Sequence, residues 1–318
     1  MSTQPQVIAI EEHFMEPSLA RHLGKAAEPP AFVRDRLFDF YDIRIAEMDA
    51  AGIDMQVLSH QSPGSQRLPD DVAVGACQAV NDALAGIIAT RPDRFDGFAM
   101  LPTNLPDAAA DELTRAVEEK GLKGAMIHGL NHGEFVDLPR YWPIFARAEA
   151  LDVPVYIHPG LPDKIVTERY YAPYDASHSM MTKAAWGFGV EAGTQIVRLI
   201  LSGLFQAHPK LKIITGHLGE AIPFWLDRID ESFARPGNPP SHFADVFRRN
   251  FWVTTSGFFS DAALRCTMAQ MPLDRILFAV DYPYADSKAG VDWLKGTDLT
   301  EDQKARIFSA NARALLGL

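Results

Sequence analysis

Metal-binding side chains stand at the ends of four apolar stretches of this sequence. Each stretch is short, rich in Val, Ile or Leu, and followed by Glu, His or Asp. The four are Val7–Ile10, followed by Glu11 and His13; Val153–Ile157, followed by His158; Leu211–Gly216, followed by His217; and Ile276–Val280, followed by Asp281. Carboxylate and imidazole groups suit zinc, manganese and iron(II). One divalent ion would account for all four stretches.

The first of these groups forms a chelate by its spacing alone. Glu11 and His13 are two residues apart, so on a strand they point to one side while Glu12 points to the other. We therefore expect Glu12 to pair with a basic group in the wall of the fold. Three or four protein ligands with one open position are typical of a catalytic metal site rather than a structural one.

A parallel barrel is the architecture that would bring these strand ends together. Buried parallel strands read as continuous apolar runs, and the loops at their carboxyl ends converge on one mouth. Eight strands are predicted, at 7–10, 55–59, 95–101, 124–127, 153–157, 211–216, 251–255 and 276–280. Helices are predicted at 37–51, 72–91, 108–120, 138–151, 179–208, 221–233, 262–271, 290–294 and 300–316. This alternation predicts an α/β fold, a (β/α)8 TIM barrel.

The chain is predicted to be one TIM-barrel domain covering residues 1–318. No long Pro-, Ser- or Gly-rich linker divides it. No Gly-x-Gly-x-x-Gly motif follows the first strand, so a dinucleotide-binding sheet has no support. Residues 21–36 and 159–183 are interpreted as loop insertions that shape or cover the mouth of the barrel.

The composition argues against several classes of partner. Hydrophobic residues make up 47% of the chain, and the net charge of −11 comes without a Lys/Arg-rich block, which disfavours nucleic acid and anionic membrane surfaces. No leader-like N-terminus and no apolar run of membrane-spanning length is recognised, so we expect a soluble cytoplasmic protein. Cys77 and Cys266 are expected to be reduced core residues.

Several motifs in this chain resemble one enzyme family. They are Ile10-Glu11-Glu12-His13-Phe14, His158-Pro159, Gly216-His217-Leu218-Gly219-Glu220 and Asp281-Tyr282-Pro283, with further similarity along nearly the whole chain. Taken together they are similar to the amidohydrolase superfamily. Within it they most resemble the non-oxidative aromatic-acid decarboxylases, a branch that includes the gamma-resorcylate and 2,3-dihydroxybenzoate decarboxylases.

The resemblance implies one divalent metal ion, zinc or manganese, and no organic cofactor. Its ligands would be the side chains of four residues, Glu11, His13, His158 and Asp281. The fourth strand leads into His128 and offers no lysine that could be modified to bridge two metals, so a two-metal hydrolase is not expected. The family habit further implies a homo-oligomer, either a dimer or a tetramer.

The implied reaction is the decarboxylation of a small aromatic carboxylic acid. A hydroxybenzoate would chelate the metal through its carboxylate and the adjacent phenolate, and the metal would act as a Lewis acid. In this family Asp281 is thought to protonate the ring carbon that bears the carboxylate. His217 and Glu220, brought together at a helix start, would set the protonation of Asp281. These three are the predicted catalytic residues, although a core histidine and a helix-terminal carboxylate are alternative interpretations of His217 and Glu220.

Four further residues are predicted to bind the substrate: Arg228, His128, Phe14 and Tyr284. Arg228 matches a family arginine that would meet an anionic substrate, and a salt-bridged helix residue is the equal alternative. Phe14 and Tyr284 would form aromatic walls of the pocket, or else belong to the core. His60, which ends the second strand, either lines the pocket or is a hydrogen-bonded loop residue.

Two other functions stay open at this point. A lactonase-like hydrolase of the same superfamily would use the metal to activate water instead of gripping a phenolate. A non-catalytic subunit would keep the barrel without turnover, and the presence of all four predicted ligands argues against it.

Overall fold

Short parallel strands form the centre of the computed structural model, which describes residues 6–23, 28–29, 31–239 and 242–318. The strands are β1 (Ile8–Phe14), β2 (Met55–His60), β3 (Phe95–Gly97), β4 (Ala99–Met100), β5 (Ala125–His128), β6 (Val155–His158), β7 (Ile213–Thr215), β8 (Phe251–Thr254) and β9 (Ile276–Leu277). They pair in the orders β1-β2-β3 and β4-β5-β6-β7-β8-β9, and every pair is parallel.

Backbone hydrogen bonds join these two runs of strands into one closed barrel. The predicted third strand is divided at Phe98, whose N–H donates to Leu58 O at 2.8 Å, so β3 and β4 are two halves of one stave. At the other seam, Ile10 N–H donates to Phe278 O at 3.2 Å and Asp281 N–H donates to Glu11 O at 3.0 Å. The predicted eight-stave (β/α)8 barrel is therefore confirmed.

Helices surround the barrel in the order that the sequence predicts. They are α1 (Pro17–Leu23), α2 (Ala31–Phe38), α3 (Ile43–Ala51), α4 (Asp70–Thr90), α5 (Pro106–Glu118), α6 (Trp142–Ala150), α7 (Lys164–Val166), α8 (Ala172–Asp175), α9 (Gly187–Leu201), α10 (Leu204–Ala207), α11 (Ile222–Phe233), α12 (Phe243–Asn250), α13 (Asp261–Gln270), α14 (Ser287–Gly296), α15 (Glu301–Ala305) and α16 (Asn311–Leu316). Single 3-10 or π turns at 139–141, 167–171, 179–182, 273–275 and 306–310 complete the secondary structure.

The inside of the barrel is a packed core of its own. Its side chains come from most of the staves and are Ile8, Ile10, Val57, Phe98, Met126, Tyr156, Ile214, Leu277 and Ala279. The same cluster continues onto Ala312, Leu315 and Leu316 of α16. A larger apolar cluster fills the layer between strands and outer helices. The inside of the barrel is therefore filled by side chains and is not a pore.

Two of the predicted helices are broken by non-helical residues. The helix expected over 37–51 is α2 and α3, separated by residues 39–42, and the Asp39 carboxylate in this break accepts the Arg44 N–H at 2.9 Å. The helix expected over 179–208 is a 3-10 turn followed by α9 and α10, with Gly203 in the left-handed region (φ 92°) between them. The sequence analysis did not predict α12.

The two expected loop insertions contain helices. In the described residues of 21–36, α1 ends and α2 begins, so the interpretation of this stretch as a loop is wrong; residues 24–27 and 30 lie outside the description. The stretch 159–183 holds α7 and α8 together with helical turns. Short helical pieces satisfy their own backbone hydrogen bonds, which a long structureless loop would leave to water.

One helix has the length and composition of a membrane span. Among the described residues only α4 passes that test, so the expectation that no run approaches this length is wrong. The buried residues of α4 recur at helical spacing, as on an outer helix packed against a barrel: Ala73, Cys77, Val80, Asn81 and Leu84. Cys77 and Cys266 are both free thiols, as expected, although Cys266 is only half-buried.

Candidate metal centre

Four ligand side chains from three staves meet at the mouth of the barrel. Glu11, His13, His158 and Asp281 each offer one ligand atom, and these atoms all lie within 4.8 Å of one another. His13 Nε2 is 3.2 Å from Asp281 Oδ1, and His158 Nε2 is 3.3 Å from Glu11 Oε1. The structure therefore brings together the quartet that the sequence predicts.

A bulge in β1 turns Glu11 and His13 toward the centre. Ile10 already points into the barrel core, so strict alternation would send Glu11 outward. The pairing with β2 shifts between Ala9 and Glu12, which inserts one extra residue and places Glu11 and His13 inside. Glu11 and His13 therefore lie on one side of β1, as their spacing predicts, and the bulge turns that side toward the centre of the barrel.

Glu12 points into the barrel wall, as predicted, but its direct partners are not basic. It accepts a hydrogen bond from Val280 N–H at 2.8 Å and another from Gln56 Nε2 at 3.4 Å. Gln56 Oε1 in turn accepts from Arg44 Nη1 at 3.0 Å, so the arginine reaches Glu12 only through the amide. Burial raises the pKa of Glu12 to about 8, since hydrogen bonding and the Arg44 charge offset only part of the desolvation.

The donor set fits one divalent ion. Glu11 Oε1 and His13 Nε2 are buried without a hydrogen-bond partner among the described residues. The far nitrogens of both imidazoles are fixed, His13 Nδ1 by Ser59 Oγ at 3.2 Å and His158 Nδ1 by Pro159 O at 2.8 Å. Anchoring one ring nitrogen while presenting the other is how proteins orient metal-binding histidines.

The electrostatics keep the carboxyl ligands ionised. Burial opposes ionisation of Glu11, but the close contact with His158 and the charges of His217, His158 and His13 hold its pKa well below the ordinary value. For Asp281, burial is likewise outweighed by its contacts with His13 and His217, so its pKa is lowered too. A cation is the natural occupant of such a site.

His217 and Glu220 stand beside this quartet as a hydrogen-bonded pair. His217 Nδ1 is 2.7 Å from Glu220 Oε1, and His217 Nε2 is 3.9 Å from Asp281 Oδ2. Burial works against a charged imidazole, yet the Glu220 carboxylate and the bonds with Asp281 and Glu220 raise the pKa of His217 well above its usual range. The predicted catalytic trio is thus contiguous.

The backbone that creates this pair differs from the expected helix start. From His217 to Ala221 every residue has a positive φ, so the segment is a left-handed turn that precedes α11. Asp281 also has a positive φ, 71°. Gly257 makes room for it, because a Cβ there would lie 3.1 Å from Asp281 Oδ2. Non-glycine residues with a left-handed backbone are found mainly at functional sites, where surrounding contacts hold the unfavourable conformation in place.

Three buried hydroxyl groups at the site were missed by the sequence analysis. They belong to Tyr156, Thr254 and Ser256, and Tyr156 and Thr254 both donate to Glu11 Oε2. The sequence held a signal for each. Tyr156 is two residues before His158 and so shares its side of β6, while Thr254 and Ser256 flank the end of a strand where the other site residues also occur.

Two of the four predicted substrate-binding residues lie beside the quartet. His128 pairs with His158 across β5 and β6, and their ring centroids are 4.8 Å apart. Both nitrogens of His128 are buried without a partner among the described residues, and burial holds its pKa well below the usual value. The Tyr284 ring lies 6.0 Å from the His13 ring, and its hydroxyl donates to Gln61 Oε1 at 2.5 Å.

The other two lie elsewhere. Phe14 is buried and packs on Phe40 and His60, at 5.6 and 5.5 Å between ring centroids, as its core alternative anticipated. His60 is likewise buried, with Nδ1 2.9 Å from Gln61 O. Arg228 is exposed on α11 and forms no hydrogen bond or ion pair within the described part of the chain, so its role in substrate binding stays a prediction.

Comparison with known proteins agrees with this geometry. The family model described as Amidohydrolase matches residues 10–318. The gamma-resorcylate decarboxylase of Rhizobium radiobacter is 37% identical over 329 residues, which cover 98% of this chain and 98% of that protein.

Solved structures of similar proteins share the whole fold. A 2,6-dihydroxybenzoate decarboxylase complexed with 2,6-dihydroxybenzoate has a TM-score of 0.89 at 37% identity, covering 99% of this chain and 100% of that one. The dihydroxybenzoic acid decarboxylase of Polaromonas sp. JS666, with bound manganese and the inhibitor 2-nitroresorcinol, has a TM-score of 0.89 at 35% identity, covering 99% and 97%. The matches extend over the barrel and all four ligand positions, and the chain belongs to the amidohydrolase family.

Proposed function

We propose that this protein is a metal-dependent, non-oxidative decarboxylase of hydroxybenzoate-type acids that uses Glu11, His13, His158 and Asp281 as ligands of one ion. The observation that carries the proposal is the position of Asp281. One of its oxygens faces His13 within the quartet, and the other faces His217. A carboxyl group between these two histidines can bind the ion through one oxygen and exchange a proton through the other.

An ion held by Glu11, His13, His158 and Asp281 would supply Lewis-acid chemistry that stabilises negative charge on the substrate. Asp281, which is ionised at rest, would take a proton from the charged His217 and deliver it to the ring carbon that bears the carboxylate. The bond between that carbon and the carboxylate then breaks, its electron pair returns to the ring, and carbon dioxide leaves. Glu220 would stabilise the charged imidazole of His217.

We propose acids of the 2,6-dihydroxybenzoate type as substrates and Mn2+ as the ion. The similar structures with 2,6-dihydroxybenzoate and with manganese support both choices. Zn2+ suits the same donor set, so the activities of the Mn2+-loaded and Zn2+-loaded protein need to be compared directly. His128 and Tyr284 are the side chains that we place against the aromatic ring, since both lie beside the ligand histidines.

The direct test is product analysis on a mixed panel. Protein loaded with Mn2+ or Zn2+ is incubated with hydroxybenzoates and, separately, with lactones and esters. We expect carbon dioxide and the matching phenol in equal amounts. Acid released from a lactone without carbon dioxide from any hydroxybenzoate would favour the hydrolase alternative.

Two histidine variants sharpen this test. His158→Asn removes a ligand and is expected to abolish carbon dioxide release. His208→Asn is the matched control, because His208 pairs with Glu149 at the opposite end of the barrel, before β7 begins. Equal activity of the two variants would contradict the proposed ligand set.

We also propose that the protein assembles as a homo-oligomer. The segment that follows β6 exposes large apolar side chains, and α11 exposes two more; they are Ile165, Tyr170, Tyr174, Trp186, Phe224 and Trp225. Exposed large apolar side chains are enriched at surfaces that associate with other proteins. Light scattering coupled to size exclusion should give a mass above 35.2 kDa, and a monomer at micromolar concentration would contradict this proposal.

A further inference from the structure

Buried hydroxyl groups connect the ligand Glu11 to the left-handed turn that carries His217. Tyr156 Oη hydrogen-bonds to Glu11 Oε2 and lies 2.9 Å from Thr254 Oγ1. Thr254 Oγ1 is 3.2 Å from Glu11 Oε2 and 2.9 Å from Ser256 Oγ. Ser256 Oγ accepts the backbone N–H of His217 at 3.1 Å. All three hydroxyl residues are fully buried.

The two ends of this hydroxyl chain fix the direction of its protons. At one end the His217 backbone N–H can only donate, so Ser256 accepts there and its own proton is free for Thr254. At the other end an ionised carboxylate can only accept, so the hydroxyls of Tyr156 and Thr254 both point their protons at Glu11. Hydrogen bonds aligned in one direction reinforce one another.

This arrangement separates the two oxygens of Glu11. Oε2 accepts two hydrogen bonds, whereas Oε1 has no hydrogen-bond partner among the described residues and faces His158 Nε2. Gly216 leaves the space that this requires, because a Cβ there would lie 3.0 Å from both Glu11 Oε2 and Ser256 Oγ. Only Oε1 is available to an ion.

We propose that Tyr156 and Thr254 are positioning residues that hold Glu11 as a one-oxygen metal ligand and tie it to the His217 turn. The inference rests on the metal site of the proposed function. Neither hydroxyl touches the ion or the substrate in this account. Both act by fixing which oxygen of Glu11 the ion meets, as hydrogen-bonded neighbours of metal ligands do in other proteins.

The test compares Mn2+ affinity across matched variants of the full chain. Tyr156→Phe and Thr254→Val each remove one hydroxyl, while Thr254→Ser keeps it. The control is Tyr141→Phe, because the Tyr141 hydroxyl is hydrogen-bonded to Asn131 and Glu134 instead of to the site. Mn2+ dissociation constants come from competition with a chelating dye, and urea unfolding of the metal-free protein reports stability.

We expect Tyr156→Phe and Thr254→Val each to weaken Mn2+ binding by about 10- to 100-fold. Thr254→Ser and Tyr141→Phe should bind like the wild type. Because both hydroxyls serve one oxygen, the losses in the double variant should not add. If Tyr156→Phe does not fold, the Thr254→Val and Thr254→Ser pair decides alone.

Wild-type Mn2+ affinity in a folded Thr254→Val protein would overturn the inference, and so would a Tyr141→Phe loss as large as that of Tyr156→Phe. A wild-type protein that binds no Mn2+ would overturn the inference together with the metal site. If the wild type binds Mn2+ but releases no carbon dioxide, the decarboxylase proposal fails, and the variant affinities still decide the role of the hydroxyls.

Discussion

His217 and Glu220 are joined by a 2.7 Å hydrogen bond across a turn in which every residue has a left-handed backbone. The φ values from His217 to Ala221 lie between 50° and 91°. Only Gly219 adopts such angles without cost, and each other residue in this region costs on the order of 1 kcal/mol. The turn therefore stores strain in order to place an imidazole beside Asp281.

Contacts from the rest of the barrel hold this turn in place. Ser256 Oγ accepts the His217 N–H at 3.1 Å, and Thr267 Oγ1 donates to Leu218 O at 3.0 Å. Both partners belong to the next βα unit, Ser256 to the loop after β8 and Thr267 to α13. The geometry of the His217–Glu220 pair thus depends on tertiary contacts.

Replacing Glu220 should impair turnover without loss of the metal. In Glu220→Gln the neutral amide no longer favours the charged imidazole, so the pKa of His217 falls from its raised value. We expect kcat to drop by about 100-fold or more, with the alkaline limb of the pH profile moved to lower pH. Mn2+ affinity should change little.

The control for this change is Glu231→Gln on α11, where the carboxylate is exposed and, among the residues that the structure describes, pairs only with Arg235 at 3.2 Å. It should leave both kcat and the pH profile unchanged. A Glu220→Gln enzyme with the wild-type alkaline limb would contradict the role given to Glu220.

Relieving strain in the turn should stabilise the protein. Ala221 is exposed with φ 62°, so Ala221→Gly removes the Cβ that makes this backbone unfavourable. Relief of this strain should add about 1 kcal/mol to the free energy of unfolding. The greater freedom of glycine in the unfolded chain cancels only part of that gain, so the net change should be stabilising. Ala234→Gly, where φ is −79°, should bring no gain. Calorimetry of both variants provides the measurement, and equal effects would show that Ala221 is not strained.

The barrel and the group of candidate ligands were predictable because each depends on short-range pattern, and the family resemblance then separated the quartet from His217. Apolar runs followed by Glu, His or Asp identify strand ends, and a parallel barrel brings all such ends to one mouth. Because His158 and Asp281 both follow strands, this places them near Glu11 at the mouth of the barrel. The same reasoning would have reached Tyr156, since period two puts it on the same side of β6 as His158.

The bulge in β1 and the left-handed turn were not predictable in this way. Both arise from long-range contacts: the bulge from the register with β2, and the turn from hydrogen bonds with Ser256 and Thr267. The break at Asp39 involves a hydrogen bond from the Arg44 backbone N–H to the Asp39 side chain, which competes with continuation of the helix. Such choices are decided by contacts that the local pattern does not contain.

Glu191 should give the fold a pH-dependent stability. Its side chain on α9 is 6% exposed, and Oε1 has no partner among the described residues. Burial, aided by Asp163 and opposed by Arg198, raises the pKa of Glu191 to about 7. A carboxyl group with a raised pKa binds more protons in the folded than in the unfolded protein. Glu191 therefore leaves the free energy of unfolding unchanged below its unfolded pKa near 4.5 and lowers it increasingly up to about pH 7.

Glu191→Gln tests this, because the amide is neutral throughout. Relative to the wild type, the metal-free variant should gain stability as the pH rises from 5 to 7, reaching on the order of 2 kcal/mol, and then level off. Urea unfolding at several pH values gives the difference. The exposed Glu168→Gln is the control, and a difference that does not vary with pH would contradict the raised pKa.

Removing the metal should remove both activity and part of the stability. An ion that binds only the folded state stabilises it by about 2.7 kcal/mol at a concentration 100 times its Kd. Chelator treatment should therefore lower Tm and abolish carbon dioxide release, and added Mn2+ should restore both. Full activity in protein shown to be metal-free by elemental analysis would contradict a role for the ion.

The most direct test of the account is the stoichiometry of products from 2,6-dihydroxybenzoate. The Mn2+-loaded protein is incubated with this acid, and carbon dioxide and resorcinol are measured together, with chelator-treated protein in parallel. The account predicts equal amounts of the two products from the loaded protein and neither from the chelated one. Absence of carbon dioxide across the hydroxybenzoate panel, from protein that demonstrably holds its ion, would contradict it.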